Sequence, residues 1–234
     1  MHLNASKGLG DAIYLRAAVL HVLKSEPVTV YTRWPEVFFD LPIKVRGIEC
    51  IAEADDLRSV AYSMRAPMTE CMFDARCRVA GLEPPIEMRL DWPIRNSALV
   101  DSVREQAAGR QVIVYQPQKV DLLSPAARPF RYAVAGLDGF RVKIGREPYV
   151  TDDALPCELD LLNKTSVLDA IDLCASADRM FGELCWLMPA AECLGKPFKC
   201  IYSHRAMASD EWIKNIDPQI MFRGSSKSEI LFDY

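Results

Sequence analysis

A chain of 234 residues of which 50% are hydrophobic can bury a sizeable core, which excludes disorder for the bulk of it. Its net charge of −4 supplies no global attraction to phosphate backbones or anionic membranes, so extended non-specific nucleic-acid binding is disfavoured. Arg16, His21 and Lys24 interrupt the most apolar stretch before it reaches the roughly 20 residues of a membrane span.

The start, Met1-His2-Leu3-Asn4-Ala5-Ser6-Lys7, lacks the charged-then-apolar pattern of a secretory signal, and the expected location is the cytoplasm. The eight cysteines form no CxxC, sit in apolar runs and read as buried free thiols in a reducing compartment. With histidines only at 2, 21 and 204, no zinc spacing exists and no structural metal is expected.

Taken along the chain, His2-Leu3-Asn4 predicts a short strand, Gly8-Leu9-Gly10 a tight turn, 11–24 an apolar helix and 28–32 a β-branched strand. That order predicts a parallel sheet with a right-handed crossover. Pro35 opens a short helix to Phe39, and 43–45 and 49–51 pattern as strands. Thr69 is the expected N-cap of a helix to Val79, closed by Gly81 and Pro84-Pro85. Residues 88–92 alternate as a half-buried strand, and a polar helix spans 97–108. Gly109-Arg110-Gln111 marks the expected boundary between two domains, 1–108 and 109–234.

Beyond it the alternation restarts. Strands are predicted at 111–115, 140–145, 180–181 and 198–202, with helices at 167–176, capped by Ser166, and at 189–194, ended by Gly195. The fold class is therefore α/β, built as two Rossmann-like doubly wound lobes facing each other.

Three segments stand out: Lys7-Gly8-Leu9-Gly10-Asp11-Ala12; Val114-Tyr115-Gln116-Pro117-Gln118 with Arg128-Pro129-Phe130; and 162–197, including Ala177-Asp178-Arg179-Met180-Phe181-Gly182-Glu183 and Ala190-Ala191-Glu192-Cys193-Leu194-Gly195-Lys196-Pro197. Together they resemble the metal-independent GT-B glycosyltransferases, in particular the heptosyltransferase-like family of lipopolysaccharide cores, in a shortened form. The chain departs from the family's Asp and Ser/Thr-Gly pair with Glu183-Leu184-Cys185-Trp186-Leu187-Met188-Pro189. The resemblance implies an inverting transferase with a nucleotide-sugar donor side after 109, an acceptor side before it and an unidentified hydroxyl acceptor.

It also implies that Asp11 takes the proton from the acceptor hydroxyl; the alternative is that Asp11 merely caps its helix. Gly8 and Gly10 permit close backbone approach to an acceptor or phosphate, or form a tight turn and no more. Ile13 stands where a full GxGxxG needs glycine, so no dinucleotide cofactor is expected. Lys119, Arg128 and Arg131 follow the first strand of the second half, where open α/β sheets bind ligands, and would stabilise the departing diphosphate unless they are simply solvated. Glu183 follows a short strand and would accept hydrogen bonds from sugar or ribose hydroxyls, whereas Glu192 reads as an outer-face residue. Trp34 either stacks on a sugar or base or staples the next helix, and Cys185 reads as packing. Two other functions stay open: a non-catalytic nucleotide or nucleotide-sugar binder of the same fold, and a glycosyltransferase acting on modified bases, in which nucleic acid is only the substrate.

Overall fold

The computed structural model describes residues 1–5, 8–60, 69–117, 133–146, 155–183, 185–203, 220 and 229–233. In chain order the first elements are β1 (His2–Asn4), α1 (Leu9–Val22), β2 (Thr29–Thr32), a 3₁₀ helix (Pro35–Phe38), β3 (Lys44–Gly47), a second 3₁₀ helix (Ile48–Glu53) and β4 (Leu57–Ser59). Two helices follow, α2 (Met72–Val79) and α3 (Ser97–Ala107), then β5 (Val112–Tyr115), β6 (Phe140–Lys143) and β7 (Leu159–Asp160). The chain continues through α4 (Val167–Ser176), β8 (Arg179–Glu183), α5 (Leu187–Cys193), β9 (Phe198–Ser203) and β10 (Glu229–Asp233).

These strands form two separate sheets. The first has the order β3-β2-β1-β4 and the second β10-β9-β8-β5-β6-β7, with every described pair parallel. Counted within the second sheet the order is 3-2-1-4-5-6, the doubly wound arrangement. In each sheet the chain runs outward from its first strand and then returns to that strand's other side. The reversal falls between β1 and β4 in the first sheet and between β5 and β8 in the second.

Local chemistry explains the elements. The four residues of β5, Val-Ile-Val-Tyr, are all buried, as a central parallel strand covered on both faces requires. Ser166 and Asp169 cap α4 reciprocally, Asn96 caps α3 by accepting from the Leu99 N–H, and Gly81 and Gly195 close α2 and α5 at φ of 71° and 63°. Gly139 has φ of 153°, and a Cβ there would stand 2.7 Å from the Gln111 carbonyl oxygen, so no other residue fits where the chain enters β6.

One cluster of buried apolar side chains runs from Leu3 in β1 through α1 to Cys200 in β9, so both sheets share a continuous core. Helix α1 is its axis, with Ala12, Ile13, Leu15, Ala18 and Val19 buried around its circumference. Its one basic side chain before the last turn, Arg16, is wholly enclosed. It donates to the carbonyls of Val37, Leu90 and Asp91 and pairs with Asp40 at 2.6 Å.

Three expectations differ from the fold. Residues 88–92 form no strand, because the backbone of Leu90 is used instead by the Arg16 guanidinium and by the Cys193 carbonyl, which accepts its N–H at 2.8 Å. Residues 49–51 lie in the second 3₁₀ helix. The cap of α2 is Cys71, whose Sγ accepts from the Asp74 N–H, not Thr69. Helix α3 packs against α4 and β5, and its Arg104 pairs with Asp178 at 2.7 Å. Among the described residues no helix is long and apolar enough to cross a membrane.

Candidate functional site

The reversal point of the first sheet is built from the ends of β1 and β4, where the Val60 N–H donates to the Asn4 carbonyl at 2.8 Å. Helix α1 starts here with Gly8 as N-cap. Asp11, in the first turn, accepts the Gly8 N–H on Oδ2 at 3.2 Å and takes Nη2 of Arg76 on Oδ1 at 2.5 Å. The Asp11 side chain is 18% exposed and that of Arg76 only 9%, so the ion pair is closed on the arginine side and opens on the carboxylate side.

Arg76 arrives on the face of α2 that also buries Met72, Phe73 and Cys77. Its Nη1 donates to the Val60 carbonyl at 3.2 Å, and its guanidinium lies 5.8 Å from the centre of the Tyr14 ring. An enclosed guanidinium is tolerated because Asp11 supplies the opposite charge and Val60 a further acceptor. Tyr14, one turn along α1, donates its hydroxyl to Glu192 Oε2 on α5 and packs against Phe73. Burial first, and then the Glu192 carboxylate, push the Tyr14 phenol well above its ordinary value. Glu192, expected on an outer face, is instead half-buried at this junction, because α5 packs against α1.

The reversal point of the second sheet carries another polar group. Buried Gln116 follows β5 and buried Glu183 ends β8. Trp186 donates its indole N–H to Gln116 Oε1 at 2.6 Å, and the Gln116 N–H reaches the Phe181 carbonyl, so this pair bridges the two strand ends. The glycine turn meets that point directly. A Cβ on Gly10 would stand 3.2 Å from Pro189 Cγ and 3.3 Å from Trp186 Cα, so its bare backbone permits α1 to seat on the start of α5. Gly8 has φ of −84°, and neither turn glycine takes a positive φ.

Gly8, Gly10 and Asp11 thus lie at one reversal point and Glu183 at the other, joined by the contact between Gly10 and Trp186. Trp34 stands at the start of the first 3₁₀ helix, beyond the C-terminal end of β2, and packs partly against the core. Lys119, Arg128 and Arg131 lie outside the described residues. No group of three or more metal-binding side chains occurs among the described residues. Arg76, Gln116 and Trp186 are additions of the structure. Arg76 carries no local cue, since an arginine among buried neighbours on a short helix acquires its partner only when α2 packs beside α1.

No protein-family model matches the chain, and no curated protein sequence matches it. Solved structures do. The glycosyl transferase family 9 structure from Veillonella parvula DSM 2008 superposes with a TM-score of 0.65 at 11% identity, over 99% of this chain and 85% of that one. E. coli ADP-heptose lps heptosyltransferase II gives 0.60 at 11% identity, over 98% and 89% of the two chains. E. coli heptosyltransferase WaaC with ADP-2-deoxy-2-fluoro heptose gives 0.52 at 10% identity, over 99% and 93%. At such identities the likeness is one of architecture, and the fold of this chain is the GT-B-like α/β fold of these glycosyltransferase structures.

Proposed function

We propose that this chain is a metal-independent, inverting glycosyltransferase that moves a sugar from a nucleotide-sugar donor to an acceptor hydroxyl. The observation that carries the reading is the convergence of two strand-order reversal points on one junction, with the Asp11 carboxylate at the first and Gln116, Glu183 and Trp186 at the second. The likeness to heptosyltransferases, one of them described with ADP-2-deoxy-2-fluoro heptose, supports a nucleotide-sugar donor.

In this reading residues 1–108 form the acceptor lobe and 109–234 the donor lobe, facing each other across the substrate cleft. The acceptor rests near Gly8, Gly10 and Trp34. Glu183 accepts hydrogen bonds from donor hydroxyls, and Arg128, with Lys119 and Arg131, neutralises the diphosphate. The acceptor O–H proton passes to Asp11 while the oxygen's electron pair bonds to the anomeric carbon. The bond from that carbon to the diphosphate oxygen breaks, and its pair leaves with the nucleoside diphosphate.

The test is a thermal-shift panel of nucleoside diphosphates and their sugar conjugates. A ligand at a hundred times its dissociation constant adds about 2.7 kcal/mol to stability. For a chain of this size that raises Tm by roughly 5 to 10 °C. If no nucleotide or nucleotide sugar raises Tm at millimolar concentration, the proposal fails.

A second reading, a non-catalytic nucleotide-sugar binder, is favoured by one observation. Both oxygens of Asp11 are engaged, by Arg76 and by the Gly8 N–H, as a purely structural cap would have them. Donor turnover separates the two, since a binder raises Tm with its ligand and releases no nucleoside diphosphate.

A further inference from the structure

We infer that Arg76 is a positioning residue for Asp11, holding one carboxylate oxygen aside so that the other faces the acceptor hydroxyl. The inference rests on the transferase reading above and adds to it a residue that the sequence did not single out.

The guanidinium is held from several sides, Nη2 also lying 3.7 Å from Met72 Sδ on its own helix. Nη2 takes Asp11 Oδ1 at 2.5 Å, Nη1 donates to the Val60 carbonyl at 3.2 Å, and the charged group sits 5.8 Å from the Tyr14 ring centre. Val60 is itself tied to the end of β1 through its N–H and the Asn4 carbonyl. The arginine therefore connects Asp11 to the edge of the first sheet, and a carboxylate that would otherwise rotate about χ1 and χ2 has one oxygen pinned to a rigid frame.

The other oxygen, Oδ2, accepts the Gly8 N–H at 3.2 Å. A carboxylate oxygen offers more than one lone pair, so this bond orients Oδ2 without using up its capacity to take a proton. Arg76 is the more enclosed partner, its side chain 9% exposed against 18% for Asp11. The geometry thus gives the two oxygens different tasks: Oδ1 anchors and Oδ2 receives the acceptor proton. The same arginine lies over Tyr14, whose hydroxyl is bound to Glu192 on α5, so the frame holding the carboxylate is continuous with the contact between the two sheets' helices.

The experiment compares wild type, Asp11→Asn, Arg76→Gln and Arg76→Lys. It uses single-turnover release of nucleoside diphosphate from ADP-, UDP- and GDP-sugars with water as acceptor, and calorimetric titration of the donor that turns over. Arg76→Gln should lower the single-turnover rate at least tenfold while the donor Kd stays within about twofold, because small misplacement of a reacting group costs up to about 10² in rate. Arg76→Lys, which keeps the charge but not the two-point grip, should recover part of the loss and also serves if the glutamine variant does not fold. A merely structural arginine would lower Tm and leave the rate of the folded protein unchanged. Wild-type rates in both folded Arg76 variants, alongside a slow Asp11→Asn, would overturn the positioning role and leave the transferase reading standing. A wild-type rate in Asp11→Asn would remove the base itself. Absence of release from any donor by the wild type would remove the transferase reading and this inference together.

Discussion

Asparagine at position 11 keeps the size of aspartate and its reach to the Gly8 N–H, but it presents an amide to an enclosed arginine. Asp11→Asn should therefore cost about 1 to 3 kcal/mol of stability on urea denaturation, the penalty of a buried charged donor left without its counter-charge. Adding Arg76→Met should return much of that loss, which a double-mutant cycle measures directly. Gly10 is the second decisive residue. It is the second residue of α1, where alanine would ordinarily gain something less than the roughly 1 kcal/mol it gains over glycine in a helix interior. Here its Cβ would stand 3.3 Å from the backbone of Trp186, which cannot swing away as a side-chain tip would, so Gly10→Ala should lower the denaturation midpoint instead. Asp11 was legible in the sequence because the glycine turn and helix start are contiguous. Arg76 was not, since its partner lies on another helix and only tertiary packing brings them together.

Among the elements, α4 anchors the segment that crosses between the sheets. Its fully buried Asp172 accepts from the Trp92 indole N–H at 2.6 Å and from the backbone N–H groups of Arg95 and Asn96 at 3.1 and 2.8 Å. Asp172→Ala would leave three donors without this acceptor and should cost about 3 kcal/mol or more, read from urea denaturation. The strands show why alternation misled at 88–92: its periodicity suits an extended segment, yet the ladder partners it would need are replaced by Arg16 and Cys193. Strands β1, β2, β5 and β8 were legible from β-branched and apolar runs bounded by turns. Strand β7, of two residues, is too short for any periodicity, and β4 lay in a region with no readable pattern. Beside β7, the Arg141 guanidinium bonds Glu158 and holds its carboxyl at about 2, against an ordinary 4.5. A depressed carboxyl contributes stability that is present above pH 4.5 and lost as pH falls towards 2. Glu158→Gln should accordingly flatten the fall of Tm across that window, by an amount limited by solvent around a partly exposed pair.

At the scale of the whole molecule, two sheets share one core through α1 and α5. Unfolding should therefore appear as one transition, with tryptophan fluorescence and far-ultraviolet circular dichroism coincident; two separated midpoints would show that the halves unfold independently. Chelation bears on the proposed chemistry: with cationic side chains neutralising the diphosphate, nucleotide-induced Tm shifts and donor turnover should be unchanged by EDTA. Loss of turnover restored by magnesium or manganese would give that task to a metal. The alternating order of strands and helices made the two-sheet α/β fold legible. The convergence of both reversal points on Gly10 was not, because it depends on how two helices far apart in the chain seat together.

That seating has a consequence for biogenesis. Tyr14 and Glu192, joined by a hydrogen bond, are 178 positions apart. At the roughly 5 to 20 residues per second of synthesis, α1 leaves the ribosome roughly 10 to 35 s before α5 exists to cover it. During that interval a helix with apolar groups around its whole circumference lacks half of its final surroundings, which makes it a ready hold for chaperones and a point of self-association for unfinished chains.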